Sequence, residues 1–145
     1  MIYKYGDILA SKAPVIVTSV NNSGYITRGI SLPVARAYPK FLIQYKEICA
    51  SRLVKGGTIC PIQATQSRMI VAFFSKEDWQ FSSKEEWINL GLARLSRLIL
   101  NQKIKHIAIP AIGTGTGNVQ WDTIMGLLQK HLSELDSNIE VYLPR

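Results

Sequence analysis

The run Val15-Ile16-Val17-Thr18-Ser19-Val20 constrains this chain more than any other stretch, because it is short, uncharged and β-branched at all but one position. β-Branched residues fit a pleated strand, and an apolar run without polar alternation reads as a strand covered on both faces. Such a strand needs helices above and below it. Ile2 to Tyr5, Thr58 to Ala64, Met69 to Phe74, His106 to Pro110 and Ile139 to Leu143 are further strand-like segments. Between them the apolar period becomes helical. Pro33 stands in a tolerated first-turn position, and Phe41, Tyr45, Ile48 and Cys49 recur at helical spacing until Gly56 and Gly57 break the pattern. Lys84 to Gln102 is strongly amphipathic, with Ile88, Leu92, Leu95 and Ile99 on one face and Arg94, Arg97 and Asn101 opposite, and a last helix starts near Trp121 with Ile124, Met125, Leu128 and Leu132 inward. This alternation predicts an α/β fold: three layers, α/β/α, around a central mixed, largely parallel sheet, with ligand loops at the carboxyl ends of the strands.

The 145 residues suffice for one domain, 1–145. Apolar residues make up 47% and charged residues 19%, with no clustered Gly, Pro or Ser, which excludes disorder and a flexible linker. The N-terminus lacks a basic leader followed by an apolar run, and no apolar stretch is long enough to span a bilayer, so the expectation is a cytoplasmic protein without a membrane partner. Cys49 and Cys60 form no CxxC and the chain has only two histidines, so neither a disulfide framework nor a metal site is expected, and the thiols read as idle in a reducing compartment. The net charge of +7 favours phosphate-bearing partners, nucleotide or nucleic acid.

Two loops that follow buried strands carry closely spaced glycines, Gly24 with Gly29, and Gly113 with Gly115 and Gly117, an arrangement that lets backbone N–H groups approach a phosphate. Simple tight turns would need the same glycines. Neither loop closes in GK[ST], and neither is the GxGxxG of a first βα unit, so a different nucleotide-diphosphate fold is required.

Gly6-Asp7-Ile8-Leu9, then Val15 to Asn21, then Ile109-Pro110-Ala111-Ile112-Gly113-Thr114-Gly115 follow in order and spacing the landmarks of the macrodomain family, which this chain resembles over nearly its whole length. Ser75-Lys76-Glu77-Asp78-Trp79, followed by Trp87 and a long helix, and Gly113 to Trp121 ending in Val119-Gln120-Trp121, resemble the branch that holds the DarG-type DNA ADP-ribosyl glycohydrolase antitoxins and the terminal ADP-ribose glycohydrolases. The resemblance implies an ADP-ribose-binding hydrolase that releases ADP-ribose from a modified macromolecule, above all thymidine in DNA. It implies no cofactor, and as partners ADP-ribosylated substrate, DNA and a cognate ADP-ribosyltransferase toxin. Asp7 would accept from the adenine amino group with the Ile8 backbone at the base, and Asn21 would hold the distal ribose. Gly113, Thr114, Gly115, Thr116 and Gly117 would wrap the diphosphate, with Val20, Gly24, Thr27, Arg28, Gly29, Ile30 and Ile112 completing the site. Lys76 would be the catalytic residue with Asn21, since a partly desolvated amine can attack the anomeric carbon of an opened ribose or polarise the departing group.

Asp7 and Asn21 are also ordinary turn-stabilising residues, and a lysine is ordinarily a solvated surface charge. Three positions depart from the family pattern. Thr18 stands where many members have an asparagine, Thr27 and Arg28 interrupt a loop that is usually glycine-rich, and Gly117 replaces an aspartate of one glycohydrolase. Hydrolysis of ADP-ribosylated carboxylates, O-acetyl-ADP-ribose or ADP-ribose 1''-phosphate, or recognition of ADP-ribose without cleavage, therefore stays open. Trp79, Phe81 and Trp87 are candidates for stacking on a nucleobase beside Lys84 and Arg28.

Overall fold

The computed structural model describes residues 1–26, 29–78 and 80–144. Its elements are β1 (Ile2–Lys4), β2 (Val15–Asn21), α1 (Ser31–Ala37), α2 (Pro39–Ser51), β3 (Ile59–Gln63), β4 (Met69–Lys76), α3 (Glu85–Asn101), β5 (His106–Ile109), α4 (Trp121–Leu132) and β6 (Asn138–Tyr142). One six-stranded sheet has the order β1-β6-β5-β2-β4-β3, and every pairing is parallel except β3 with β4. The mixed, largely parallel three-layer arrangement expected from the sequence is the one observed.

The period-two geometry of a strand explains why its central runs carry no polar alternation. On β2, Val15 and Val17 point to one side and Ile16 and Val20 to the other; on β4, Val71 and Phe73 oppose Ile70, Ala72 and Phe74. The first side packs under α3 and α4 through Ile88, Leu92, Leu95, Ile99, Ile124, Leu128 and Leu132. The second packs under α1 and α2 through Val34, Phe41 and Tyr45. Helix α3 approaches β4 so closely that a Cβ on Gly91 would meet the buried Phe73 ring at 2.3 Å.

Local chemistry sets the element ends. Tyr38 breaks α1 from α2 because Pro39 follows it, and the residue before a proline is driven out of the helical region; its ψ of 79° is far from helical. Strand β5 stops at Ile109 rather than at Pro110, which has no N–H for the ladder. Strand β4 runs past Phe74 to Lys76, so Lys76 is the last residue of a strand and not part of the loop beyond it. No helix among the described residues is long and apolar enough to cross a membrane.

Candidate active site

Because β1, β6, β5, β2 and β4 are mutually parallel, their carboxyl ends lie along one edge of the sheet, and the segments leaving them enclose a cleft of about 400 Å³. The sheet order sets out its lining. Asp7 and Ile8 follow β1, Tyr142 ends β6 with Leu143 just after it, the glycine loop follows β5, Asn21 ends β2 and Lys76 ends β4.

At the β2–β4 end the register slips between Val20 and Asn21, so that Asn21 lies opposite Lys76 while Ser75 is passed over. The two residues expected to act together are thus cross-strand neighbours at the mouth of the sheet. Such irregularities re-aim side chains and recur beside active sites. Lys76 is held in the cleft wall with only 8% of its surface exposed, and beneath it the Ser19 and Ser75 hydroxyls bond to each other across the strands. Glu77 ties the following segment down by accepting the Gly56 N–H at 3.0 Å.

Asn21 is a turn-former and a cleft residue at once. Its Oδ1 accepts from the Ser23 N–H at 2.9 Å and from Tyr45 Oη at 3.1 Å, and its Nδ2 donates to the Tyr25 carbonyl at 2.7 Å. The Tyr45 hydroxyl also donates to the Asn21 backbone carbonyl at 2.6 Å, and burial pushes its phenol well above the ordinary range, so it stays a neutral donor. A primary amide has two hydrogens, which leaves the second N–H of Asn21 available to a sugar hydroxyl.

The glycine loop adopts left-handed backbone at Gly113 (φ 76°) and Gly115 (φ 63°), and a Cβ at Gly113 would strike Ile88 at 2.4 Å. Here glycine is required by both conformation and packing. A 3₁₀ turn over Gly115–Gly117 follows, in which the Gly117 and Asn118 amides bond back to Thr114 and Gly115. The amides that open such a turn have no partner within it, and those of Gly115 and Thr116 belong to residues that line the cleft. The Thr114 hydroxyl donates to the Ala111 carbonyl at 2.7 Å, so its proton serves the loop rather than a phosphate.

At the β1–β6 end, Asp7 caps a short 3₁₀ turn by accepting the Leu9 N–H at 2.9 Å, and its exposed second oxygen stays at the cleft rim. Tyr142 lines the cleft beside it and donates to Glu140 at 3.0 Å. Burial alone would raise the Glu140 carboxyl, but bonds from His106, Tyr142 and Ser11 and the charge of Lys4 outweigh it and hold the carboxyl at about 2.

Val20, Gly29, Ile30 and Gly117 also line the cleft, whereas Gly24 and Ile112 do not. Gly24 turns away at φ 81° towards Cys49, and Ile112 is fully buried in the core. Thr27, Arg28 and Trp79 lie outside the described residues. Of the candidate stacking aromatics, Phe81 is 66% exposed outside the cleft lining, and Trp87 is half-buried, its ring against Gly56 with the Lys84 ammonium 5.1 Å from its centre. Thr18 is wholly inside the core. Ser83, Tyr142, Ser19 and Ser75 were missed as cleft residues. Tyr142 and Ser19 had a signal in ending or nearly ending apolar strands, but Ser83 had none, since only the contact between two distant loops places it. Cys49 and Cys60 are free and half-buried, with burial raising both thiols, and no group of three potential metal ligands occurs among the described residues.

Comparison with known proteins agrees with this geometry. The Macro domain signature matches residues 17–127. A curated relative, the DNA ADP-ribosyl glycohydrolase of Mycobacterium tuberculosis, is 30% identical over 98% of this chain and 42% of its own length. The solved macrodomain of Mycobacterium tuberculosis DarG superposes with a TM-score of 0.95 at 29% identity, covering 99% of this chain and 97% of that one. A DNA ADP-ribosyl transferase-DNA ADP-ribosyl glycohydrolase fusion protein of Thermosipho africanus is 23% identical over 96% of this chain and 40% of its own length. The chain thus spans about two fifths of the length of these two curated relatives. A domain signature over most of the chain, carried on a sheet whose strand ends and glycine turn build a nucleotide-sized cleft, establishes that this chain belongs to the Macro domain family.

Proposed function

We propose that this macrodomain binds ADP-ribose and hydrolyses the bond that joins it to thymidine in DNA. The observation that carries the reading is the cross-strand placement of Asn21 and Lys76 at one end of the cleft, with a rim carboxylate, Asp7, at the other. ADP-ribose has this polarity: adenine fits the Asp7 and Ile8 end, the diphosphate lies along Gly113 to Gly117, and the distal ribose reaches Asn21 and Lys76. There the remaining Asn21 N–H holds a ribose hydroxyl, and the Lys76 amine acts at the anomeric carbon or on the departing base. Water supplies the hydroxyl left on the ribose and the proton returned to thymidine.

Similarity to the Mycobacterium tuberculosis glycohydrolase supports the reaction class, and the net charge of +7 suits a DNA acceptor. The Thermosipho africanus fusion supports a cognate ADP-ribosyltransferase as partner. A cytoplasmic location belongs to the same reading and is supported by the two free thiols. An acceptor panel tests it. An oligonucleotide bearing ADP-ribosylated thymidine should be cleaved in preference to a glutamate-ADP-ribosylated peptide, to O-acetyl-ADP-ribose and to ADP-ribose 1''-phosphate. Preference for the peptide would move the acceptor to protein, and tight ADP-ribose binding without cleavage of any of them would make the domain a reader.

A further inference from the structure

The positive charge of this chain is unevenly spread. Residues 8–76, which hold β2, α1, α2, β3 and β4, carry nine Lys and Arg against a single acid, Glu47, whereas residues 77–145 carry seven against eight Asp and Glu. Arg36, Lys40, Lys46, Arg52 and Lys55, all exposed, lie on or just after α1 and α2. A face of one sign draws a polyanion to itself.

One corner of that face meets the Asn21–Lys76 end of the cleft. Because β3 runs antiparallel to β4, the loop 52–58 that enters β3 reaches the same sheet edge as the carboxyl ends of β2 and β4. Three bonds pin it there. Asn22 Nδ2 donates to the Val54 carbonyl at 2.6 Å, the Gly57 N–H to the Phe74 carbonyl at 2.8 Å, and the Gly56 N–H to the Glu77 carboxylate at 3.0 Å. Asn22 and Glu77 are the chain neighbours of Asn21 and Lys76, so the loop is fixed beside both. From it Arg52, Leu53 and Lys55 stand out, Leu53 with 81% of its surface exposed, while Val54 turns into the core. Neither Arg52 nor Lys55 forms a salt bridge with a described residue. The segment that leaves β4 towards α3, on the other side of the sheet, brings Asp78, Glu85 and Glu86 against Lys84. A phosphate chain emerging from this end of the cleft is repelled on that side and attracted to the 52–55 corner.

We infer that the Arg52–Lys55 corner holds the phosphates of the single DNA strand flanking the modified thymidine, with Leu53 against a sugar or base between them. This rests on the thymidine reading above and adds to it a surface outside the ADP-ribose cleft. Phosphate contacts of this kind position a strand without reading its sequence.

Single-turnover release of ADP-ribose, followed against enzyme concentration for wild type and Arg52→Ala/Lys55→Ala, tests this. The substrates are a short single-stranded oligonucleotide carrying ADP-ribosylated thymidine, the ADP-ribosylated thymidine nucleoside, which lacks flanking phosphates, and a glutamate-ADP-ribosylated peptide; calorimetry with ADP-ribose accompanies them. At low salt the double variant should need about tenfold more enzyme to half-saturate the oligonucleotide, at an unchanged maximal rate, with the nucleoside and ADP-ribose unaffected. Each lost phosphate contact removes about 0.7 from the slope of log affinity against log salt, so the variant's slope should be shallower by about 1.4. Unchanged half-saturation and slope on the oligonucleotide would overturn the assignment and leave the reading of the cleft standing. An equal loss on the nucleoside or on ADP-ribose would make the two residues supports of the cleft, and a loss on the peptide alone would give the corner to a protein chain; either overturns the assignment. Release from neither thymidine substrate by the wild type, seen without any variant, would overturn the thymidine reading and this assignment with it.

Discussion

Glu140→Gln removes a charge, at nearly constant shape, from a carboxylate that is 4% exposed and receives Ser11, Tyr142, His106 and Lys4 from four parts of the chain. The folded protein holds this carboxyl at about 2 against an ordinary 4.5. A folded value below the unfolded one means that the stabilisation is fully present above about pH 4.5 and is lost as pH falls towards 2. At about 1.4 kcal/mol per pH unit, the gap is worth about 3 kcal/mol at pH 7 and roughly half of that at pH 3. Urea denaturation of wild type and Glu140→Gln at pH 7, 5, 4 and 3 measures both terms. The variant should be less stable by about 3 kcal/mol at pH 7 and 5, and the difference should close to roughly half of that at pH 3. A difference of the same size at every pH would show that the loss comes from packing or neutral hydrogen bonds, and would refute the assignment of a charged Glu140.

Two further substitutions probe the scaffold under the cleft. Gly91→Ala gains about 1 kcal/mol of helix propensity but drives a methyl within 2.3 Å of the buried Phe73 ring, where overpacking costs about 1–3 kcal/mol; we expect net destabilisation in urea, relieved by adding Phe73→Leu. Tyr45→Phe keeps the ring stacking between Phe41 and Phe74 but removes the donor to the Asn21 carbonyl, so denaturation should show a loss of about 1–3 kcal/mol and calorimetry a weaker ADP-ribose complex. A Tyr45→Phe protein with full stability would mean that the Asn21 carbonyl finds another donor.

Local chemistry made much of the fold legible. Uncharged β-branched runs marked strands covered on both faces, and the Ile88, Leu92, Leu95, Ile99 stripe marked α3. The end of β4 is less legible, because Ser75 and Lys76 are polar and look like loop, yet the strand continues and Lys76 pairs with Asn21 of β2 across the skipped Ser75. At the site, residues that end strands or sit in glycine turns could be placed because a strand fixes where its next loop begins. Gly24 and Ile112 show the limit of that reasoning. One loop residue faces the cleft and its neighbour faces the core, and backbone torsion, not residue type, decides which. The contact of the Trp87 ring with Gly56, some thirty positions away, is illegible for a related reason, since no local pattern announces it.

The central claim is that Lys76 acts on ADP-ribosylated thymidine held in this cleft. Its most direct test is single-turnover release of ADP-ribose from an oligonucleotide carrying that modification, by wild type and by Lys76→Ala, with ADP-ribose affinity measured on both. The account predicts release by the wild type and a rate lower by about a hundredfold or more in Lys76→Ala, with affinity changed by less than about threefold. Release at equal rates by the two proteins, or no release by the wild type, would contradict it.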